Sequence, residues 1–541
     1  MKASELFIQC LEAEGTEYIF GIPGEETMEI LNALSSSKIE FILTRDERWA
    51  AFMANAYGRL SGSPGICLST LGPGATNLLT GVADALLDFA PMIAVTGQVG
   101  TSKMHKETHQ YIDILSLYKP AVKWNARIED PETVPEIVRK AFKIACMEKP
   151  GPVHIEFPED IASINIEGRP ITHEPVSYSK PDEDMLSKAV SMIENAAMPI
   201  ILAGNGVIRG KASGELRDFV GRTKIGVTTT FMGMGAFPAD DECFISTIGL
   251  QSRDFVSCGF DRADLIIAVG YDPVEFSPRY WNADGKKTII HINLTPSETD
   301  SHYSAHEIVG DIRTSLSMIT KRIGFEKDPT YYRKLKKYAD NEMDLSAEGF
   351  PLKPLRIIRD IRKALGRDDI LISDVGAHKI WIARFYPAYE ENTVIISNGF
   401  ASMGFAIPAA ISAKLLYPRK KIIAAAGDGG FLMSASELNT AVRLGLHFVC
   451  LIFNDGGYGL IEWKEKQRYK KDFFVKFSNP DFVKLAESFG AKGYRVSSED
   501  ELLPMLRDAL DQNVPAIIDC PVDYRENIGL TEKFGRIICP L

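Results

Sequence analysis

Residues 420–457 decide the fold, and they read KKIIAAAGDGGFLMSASELNTAVRLGLHFVCLIFNDGG. The stretch opens with a short apolar run and closes with a second one at 448–453, and each has the length of a buried strand. Between the runs, Ser434 and Glu437 have the spacing of a capping box, which predicts a helix that ends near Gly445. A strand, a helix and a strand of these lengths predict a right-handed parallel crossover in an α/β sheet.

Glycine-rich turns follow both predicted strands, GDGG at 427–430 and NDGG at 454–457. Asp428 and Asn454 therefore lie just past the carboxyl ends of neighbouring strands, where open α/β sheets bind ligands. A carboxylate and an amide oxygen suit a hard cation such as Mg²⁺, which keeps phosphate oxygens as further ligands. The glycines let a diphosphate approach the backbone, and the helix start adds amide donors. Either turn alone is equally compatible with an ordinary loop, but together they predict a diphosphate and magnesium site.

The composition predicts a globular chain with several domains. It has 541 residues, of which 45% are hydrophobic and 25% charged, and a formal net charge of −11. The mild, evenly spread acidity favours neither a nucleic-acid nor a membrane partner. No apolar run approaches the ~20 residues that span a bilayer, and residues 1–6 lack a signal-peptide core, so we expect a cytoplasmic protein. The eight cysteines are scattered without a Cys-x-x-Cys pair, which predicts reduced packing residues.

Alternating helix and strand signals predict an α/β protein with three doubly wound parallel-sheet domains. We place the N-terminal domain at 1–166, the central domain at 185–325 and the C-terminal domain at 354–525. The Pro- and Glu-rich stretch 167–184 is the expected linker, and the charged stretch 326–353 is a second, helical connector. The order of elements in the N-terminal domain repeats that of 394–454, which indicates internal duplication of a fold.

Glu47 is a candidate catalytic acid. It follows the strand signal at 39–44 and opens a predicted helix at 48–60. The Gly-Asp-Gly turn followed by Asn454 some two dozen residues later resembles the thiamine-diphosphate signature. That cofactor requires a carboxylic acid bonded to its pyrimidine N1′, which switches the aminopyrimidine into the imino form that removes the C2 proton. Taken alone, a Glu at a helix start is more often a solvated residue that the helix dipole stabilises. The motifs elsewhere in the chain decide between these two interpretations.

Several short motifs occur together and in one order. They are GIPG at 21–24, TRDE at 44–47, LGPGATN at 71–77, DVGAHKIW at 374–381, SNG at 397–399, MGF at 403–405, GDG at 427–429, AESFGA at 486–491 and CPVDY at 520–524. Over essentially the whole chain they resemble the thiamine-diphosphate decarboxylase and carboligase superfamily, and in particular the acetolactate synthase large, or catalytic, subunits. The resemblance implies a pyrimidine-binding N-terminal domain, a central domain and a pyrophosphate-binding C-terminal domain.

The resemblance also assigns roles to individual residues. It implies that Glu47 is the pyrimidine-activating acid and that Gln110 lies near the reacting carbon. It implies that Mg²⁺ is held by the side chains of Asp428 and Asn454 and by the carbonyl of Gly456.

Further residues are expected to contact thiamine diphosphate. The full set that the resemblance implies is Pro23, Glu47, Pro73, Asn77, Ala377, His378, Met403, Gly427, Asp428, Gly429, Gly430, Asn454, Gly456 and Tyr458. Met403 resembles the apolar wedge that bends the cofactor into a V, although an ordinary core methionine is the alternative.

The activity implied by the resemblance is decarboxylation of pyruvate and carboligation to a second small 2-keto acid, which gives 2-acetolactate. The active unit would be a homodimer or homotetramer with active sites between chains, in branched-chain amino acid biosynthesis or in a catabolic role. Another 2-keto acid decarboxylase, carboligase or oxidase on the same scaffold is the alternative. A non-catalytic binding protein is disfavoured, because Glu47, Asp428 and Asn454 are all present.

The sequence departs from the family beside Glu47 and in the central domain. Asp46 replaces the usual His, and the large Arg48 and Trp49 follow. These side chains could narrow the pocket, or Arg48 could pair with Asp46 and face away from it. In flavin-containing members an Arg-rich segment follows a central-domain strand, whereas residues 270–276 here read GYDPVEF. This segment resembles the flavin-free, catabolic-type branch and makes FAD a doubtful cofactor.

Overall fold

Parallel sheets are the framework of the chain. The computed structural model describes residues 1–172, 178–250, 255–343 and 348–527. Within these ranges the strands form three sheets of six strands each, and all their neighbouring strands pair in parallel. The predicted α/β fold class with three parallel-sheet domains is therefore confirmed.

The N-terminal sheet places the first group of candidate site residues. Its strands are β1 (Tyr18–Gly21), β2 (Glu40–Leu43), β3 (Gly65–Ser69), β4 (Met92–Gln98), β5 (Trp124–Arg127) and β6 (Pro152–Pro158). Its helices are α1 (Ala3–Ala13), α2 (Met28–Leu34), α3 (Glu47–Ser61), α4 (Pro73–Leu87), α5 (Ile114–Tyr118), α6 (Val134–Cys146) and α7 (Glu159–Ala162). The strand order β2-β1-β3-β4-β6-β5 puts the carboxyl ends of β1, β2 and β3 side by side. Pro23, Glu47 and Pro73 follow these three ends.

The central sheet has the strand order of a dinucleotide-binding domain. Its strands are β7 (Pro199–Ala203), β8 (Gly226–Thr230), β9 (Phe244–Ile248), β10 (Leu265–Val269), β11 (Thr288–Asn293) and β12 (His306–Val309). Its helices are α8 (Glu183–Asn195), α9 (Asn205–Arg209), α10 (Ser213–Thr223), α11 (Phe255–Arg262) and α12 (Ile312–Arg322). Read from β9 to β12, the order is 3-2-1-4-5-6, with the topological switch point between β7 and β10.

The C-terminal sheet repeats the topology of the N-terminal one. Helix α13 (Thr330–Met343) precedes it, as the predicted helical connector requires. Its strands are β13 (Ile370–Ser373), β14 (Val394–Ile396), β15 (Ile422–Gly427), β16 (Val449–Asn454), β17 (Lys492–Arg495) and β18 (Ala516–Pro521). Its helices are α14 (Pro354–Ala364), α15 (Ala377–Phe385), α16 (Ala406–Leu416), α17 (Asp428–Ser434), α18 (Glu437–Arg443), α19 (Gly459–Tyr469), α20 (Phe482–Phe489) and α21 (Leu502–Leu510). The order β14-β13-β15-β16-β18-β17 matches that of the first sheet strand by strand, as duplication predicts.

Both faces of each sheet are covered. Successive residues of a strand point to opposite faces, and here they enter different hydrophobic cores. Ile200 and Ile201 of β7 do so in the central sheet, and Ile422 and Ile423 of β15 do so in the C-terminal sheet. This burial explains why the strands read as continuous apolar runs without polar alternation.

One hydrophobic core joins the N-terminal and C-terminal domains. Phe52 of α3 and Phe405 at the start of α16 meet edge to face, with ring centroids 5.8 Å apart. Beside them the Ser412 hydroxyl donates to the carbonyl of Met53 at 2.7 Å. The two domains that carry the candidate cofactor residues are thus packed directly on each other within one chain.

The predicted parallel crossover is present, but the capping box is wrong. Strands β15 and β16 are neighbours, whereas α17 already starts at Asp428 and ends at Ser434. Glu437 is buried, and its carboxylate accepts hydrogen bonds from the Arg45 backbone at 2.8 Å and from the Thr440 hydroxyl at 2.7 Å. Burial raises the pKa of Glu437 to about 7. This side chain therefore connects two domains and caps no helix.

Three smaller expectations have different outcomes. Within the linker predicted at 167–184, residues 173–177 lie outside the described part, and the exact domain boundaries stay a prediction. Among the described residues, no helix is long and apolar enough to cross a membrane. Among the seven cysteines that the structure describes, six are free, but Cys258 is disulfide-bonded, so the prediction of reduced cysteines is wrong there. Spacing along a sequence does not reveal which distant residues a fold brings together.

Candidate active site

The two predicted metal ligands lie side by side at the carboxyl ends of β15 and β16. Asp428 is 1% exposed, and its Oδ1 and Oδ2 accept hydrogen bonds from the backbone N–H groups of Gly429 and Gly456, both at 2.9 Å. The Asn454 amide nitrogen donates to Asp519 Oδ1 at 2.8 Å. That bond orients the amide, so that its oxygen, Asn454 Oδ1, is available as an acceptor on the other side.

A third polar side chain, Asn479, completes this group. Its Nδ2 donates to Oδ2 of Asp428 at 2.7 Å and to Oδ1 of Asn454 at 3.0 Å. Because one nitrogen reaches both oxygens, these oxygens converge on a single point. The motifs gave no signal for Asn479, which lies 25 residues after Asn454. The Gly456 carbonyl accepts from the Phe477 backbone at 3.2 Å, so its role as a ligand stays a prediction.

The donor set is suited to a hard cation. Across the described ranges there is no group of three or more His, Cys, Asp and Glu side chains that could hold a metal ion. What converges is one carboxylate and one amide oxygen, the type of site from which Mg²⁺ takes one or two ligands while keeping phosphate and water oxygens. Zinc sites, in contrast, use three or four nitrogen, sulfur or carboxylate ligands.

A cavity of about 160 Å³ opens beside Asp428. Of the residues predicted to contact the cofactor, its walls contain Ala377, His378, Met403, Gly427, Asp428, Gly429, Gly430 and Tyr458. A Cβ at Gly429 would lie 2.7 Å from Cε1 of Tyr458, so only glycine leaves this wall open. We call this cavity the diphosphate cleft.

His378 gives the diphosphate cleft a neutral polar atom without a partner. Burial lowers the pKa of His378 to about 3, so the imidazole is uncharged near neutral pH. Its ring stacks on Phe453 with centroids 5.3 Å apart, and its Nε2 is buried and has no hydrogen-bond partner within the described ranges. A buried nitrogen of this kind calls for a ligand, and a phosphate oxygen would satisfy it as an acceptor.

The Met403 backbone is held from both sides by carboxylates. Both oxygens of Asp374 accept from the Gly404 N–H at 3.0 Å, and Asp84 Oδ1 accepts from the Ser402 N–H at 3.4 Å. Burial raises the pKa of Asp374 and of Asp84 to about 7. Met403 itself is partly exposed and lines the diphosphate cleft. This position favours the wedge interpretation over an ordinary core methionine.

Glu47 lies in the N-terminal domain, at the first position of α3. Its Oε2 accepts a hydrogen bond from the side-chain amide of Asn77 at 3.0 Å. Helix α4 brings Asn77 to this place because it starts at Pro73, next to the carboxyl end of β3. A Cβ at Gly74 would lie 3.3 Å from Glu47 Oε1. The structure therefore brings three predicted residues, Glu47, Pro73 and Asn77, to one corner of the sheet.

Gln110 and Pro23 lie at the same edge. Gln110 is exposed, with φ of +59°, and a Cβ at Gly72 would lie 2.7 Å from its backbone oxygen. Gly72 directly precedes α4, so Gln110 is next to the Glu47 corner. Pro23 follows β1, and the adjacent Gly24 touches the side chain of Thr70 at the end of β3.

The residues that depart from the family pattern pair with each other or pack in the core. Arg48 pairs with Asp46, with 2.7 Å between Nη2 and Oδ2 and 3.1 Å between Nε and Oδ1. Trp49 is 3% exposed and stacks on Phe52 with ring centroids 5.7 Å apart. A Cβ at Gly404 would lie 2.8 Å from Cη2 of Trp49. Trp49 thus packs against the loop that contains Met403. Arg48 pairs with Asp46, which is the second of the two alternatives considered from the sequence.

The candidate residues form two separate groups. All the described residues that line the diphosphate cleft come from 375–524, and none comes from the N-terminal domain. Glu47, Asn77, Pro73, Pro23 and Gln110 form the second group at the edge of the first sheet. Within the described part of one chain, neither group by itself contains both the acid and the metal ligands.

In the central domain, the glycine-containing turn at 204–206, which follows β7, binds the carboxylate of Glu275. Glu275 accepts hydrogen bonds from the Asn205 backbone at 3.0 Å and from the Thr230 hydroxyl. A Cβ at Gly204 would lie 2.9 Å from Oε1 of Glu275. In sheets with this strand order, the turn at the switch point binds the dinucleotide phosphate. Here the backbone amide of Asn205 at that turn already donates to Glu275.

Comparison with known proteins agrees with this geometry. Three family models match the chain. They are described as thiamine pyrophosphate enzyme, N-terminal TPP binding domain, at residues 1–117, the central domain at 186–319, and the C-terminal TPP binding domain at 374–520. These ranges fall on the three sheets in order.

Similar curated proteins extend over nearly the whole chain. A protein named acetolactate synthase from Bacillus subtilis is 34% identical, covering 99% of this chain and 97% of its own length. A probable acetolactate synthase large subunit from Methanocaldococcus jannaschii is 37% identical, covering 99% and 94%. A catabolic acetolactate synthase from Raoultella terrigena is 34% identical, covering 97% and 95%.

Proposed function

The chain belongs to the thiamine pyrophosphate enzymes, in the acetolactate synthase family, and from this premise we propose that it converts two molecules of pyruvate into 2-acetolactate and CO₂. One observation carries the proposal. The same chain holds an Asn77-oriented Glu47 at one sheet edge and the converging Asp428 and Asn454 oxygens at another. Thiamine diphosphate needs an acid at its pyrimidine and a cation at its diphosphate.

Each group of residues has a defined task toward the cofactor. When bound, thiamine diphosphate supplies the electron sink that lets CO₂ leave and a new carbon–carbon bond form. Glu47 exchanges a proton at the pyrimidine N1′, and Asn77 holds its carboxylate in place for this exchange. Met403 would contact the cofactor from a loop that Asp374 and Asp84 fix. Rigid support of this kind preserves a reactive geometry.

The diphosphate end is proposed to bind through Mg²⁺. Asp428, Asn454 and the Gly456 carbonyl would hold the cation, and phosphate and water oxygens would complete its shell. Neutral His378, a residue of the cleft wall, would donate to a phosphate oxygen through a ring nitrogen. The wall glycines leave room for the diphosphate.

We propose that the active unit is a homodimer or homotetramer with sites between chains. The separation of the two residue groups supports this arrangement, because the cleft in the described chain has no wall from the N-terminal domain. In such a unit, Glu47 of one chain would complete the diphosphate cleft of another.

Product analysis tests the carboligation. With thiamine diphosphate and Mg²⁺, the protein should convert pyruvate alone into 2-acetolactate, which acid treatment converts to acetoin for measurement. Comparing pyruvate with 2-ketobutyrate as acceptor tests the narrowed-pocket alternative, which the packing of Trp49 against Phe52 in the core does not favour. The two acceptors differ by one methylene group, which changes the free energy of discrimination between substrates by only about 1–3 kcal/mol.

The competing activities give different products. A simple decarboxylase would yield acetaldehyde, and an oxidase would yield acetate, in both cases without acetoin after acid. Either result as the main outcome would contradict the synthase and leave only the cofactor assignment. A reaction without added thiamine diphosphate is the control for spontaneous acetoin formation.

We further propose that the protein carries no flavin. Glu275 occupies the amide donor of the central-domain turn, and 270–276 contains no arginine for a nucleotide phosphate. The purified protein should therefore be colourless. A stoichiometric flavin absorbance band, released on denaturation, would overturn this proposal.

A further inference from the structure

Asn479 occupies the point on which the two proposed metal ligands converge. Its Nδ2 donates to Asp428 Oδ2 at 2.7 Å and to Asn454 Oδ1 at 3.0 Å. The oxygen of the same side chain, Asn479 Oδ1, is buried and accepts no hydrogen bond from any residue that the structure describes. The amide thus satisfies two acceptors with one nitrogen and leaves its own acceptor without a donor, which is an unfavourable state for a buried polar atom.

A bound cation would change which end of the Asn479 amide should face Asp428 and Asn454. Without a cation, two oxygen acceptors that face each other need a donor between them, and Asn479 Nδ2 is that donor. With Mg²⁺ about 2.0–2.1 Å from both oxygens, the hydrogens of an NH₂ group would point at a positive ion. The two ends of an asparagine amide have similar shape but opposite hydrogen-bonding character. A half-turn of the amide would therefore present an oxygen where the nitrogen now lies.

The backbone around Asn479 is fixed, so the side chain alone has to turn. Upstream, the Phe477 N–H donates to the Gly456 carbonyl at 3.2 Å and the Tyr458 N–H donates to the Val475 carbonyl at 2.9 Å. These bonds tie the Asn479 segment to the turn that follows β16. Downstream, the side chain of Asp481 caps α20. The segment is held over Asp428 from both directions.

We propose that Asn479 is a positioning residue of the metal site. Its amide nitrogen holds the two ligand oxygens together before the cation arrives, and its amide oxygen faces the cation, directly or through a bound water, once the cation is present. This inference rests on the proposed magnesium site. It assigns a cation-linked role to a residue outside the Gly-Asp-Gly and Asn-Asp-Gly turns.

The experiment measures cation binding without using activity. Mn²⁺ replaces Mg²⁺ as the probe, and free Mn²⁺ is followed by electron paramagnetic resonance in the presence of thiamine diphosphate. Loss of a residue that orients metal ligands typically weakens affinity by about 10–100-fold, and we expect a loss of this size for Asn479→Ala. Asn479→Asp should bind Mn²⁺ at least as tightly as the wild type, because it retains an oxygen toward the cation.

A thermal readout separates the two roles of the amide. Without cation, Asn479→Asp places a carboxylate against Asp428 and should lower the melting temperature, and added Mn²⁺ should restore it. Asn282→Ala is the matched control. Asn282 is buried and donates through its amide to the His302 carbonyl in the central domain, so this variant loses a buried asparagine without changing Mn²⁺ affinity.

The outcomes distinguish failure of this inference from failure of the proposed function. If Asn479→Ala binds Mn²⁺ like the wild type, or if Asn479→Asp binds as weakly as Asn479→Ala, the role of Asn479 is refuted. An Asp428→Ala variant measured alongside reports on the site itself. Should Asp428→Ala also retain wild-type Mn²⁺ affinity, the metal site is elsewhere and the proposed function loses its cation assignment.

Discussion

Replacing Glu47 by glutamine should lower the turnover of pyruvate by about 100- to 10,000-fold, the usual contribution of a general acid or base. The amide of glutamine has the shape of the carboxylic acid but cannot exchange a proton with the pyrimidine N1′. It can still pair with Asn77, which now donates to Glu47 Oε2 at 3.0 Å, so the fold should survive. CO₂ release at saturating thiamine diphosphate is the measurement, with cofactor affinity determined by calorimetry.

Glu29→Gln is a suitable control for this variant. Glu29 lies on α2 in the same domain and forms a partly exposed ion pair with Lys2, with 2.7 Å between the charged atoms. This change also removes one carboxylate, but far from the Glu47 corner, so turnover should remain normal. Near-wild-type turnover in Glu47→Gln would show that another group activates the cofactor.

Replacing Asp428 by alanine should abolish binding of Mg²⁺ and thiamine diphosphate together. Asp428 is the only carboxylate of the converging pair, and the proposed cation would link the diphosphate to the protein. The loss should exceed the ~10–100-fold that removal of an outer-shell partner typically costs, because a direct ligand is removed. Calorimetric titration with the cofactor, at fixed Mg²⁺, measures it.

An exposed aspartate of the same domain serves as control. Asp500 has a side chain that is 88% exposed and pairs with Arg356, so Asp500→Asn should bind the cofactor normally. Unchanged cofactor affinity in Asp428→Ala would contradict the metal site.

If active sites lie between chains, mixing the inactive Glu47→Gln and Asp428→Ala proteins should restore some activity. Hybrids that form by mass spectrometry yet stay inactive would refute shared sites.

The positions of Asp428 and Asn454 could be predicted from the local sequence pattern. Two apolar runs joined by a helix predict adjacent parallel strands, and in parallel strands both carboxyl ends lie at the same edge. The pairing of β15 with β16 brings these two residues together as expected. Glu47 and Pro73 follow the same rule in the N-terminal sheet.

Residues that reach the site from a different part of the chain could not be found in this way. Asp84 holds the Ser402 backbone from a position 318 residues earlier, and Glu437 binds the Arg45 backbone across 392 residues. Asn479 comes from a loop without a recognisable motif. Each of these partnerships depends on how one domain or loop packs on another.

The sequence by itself determined the sheet class, the duplicated arrangement of the outer domains and the strand ends that carry Glu47, Asp428 and Asn454. Strand and helix periodicity express these features locally, within a few dozen residues. Only the tertiary structure decided that Glu437 binds the Arg45 backbone and that Glu275 fills the turn of the central domain. The reason is that a buried polar group must find a partner wherever the packed chain offers one, and that choice is made in space, between residues with no fixed separation in sequence.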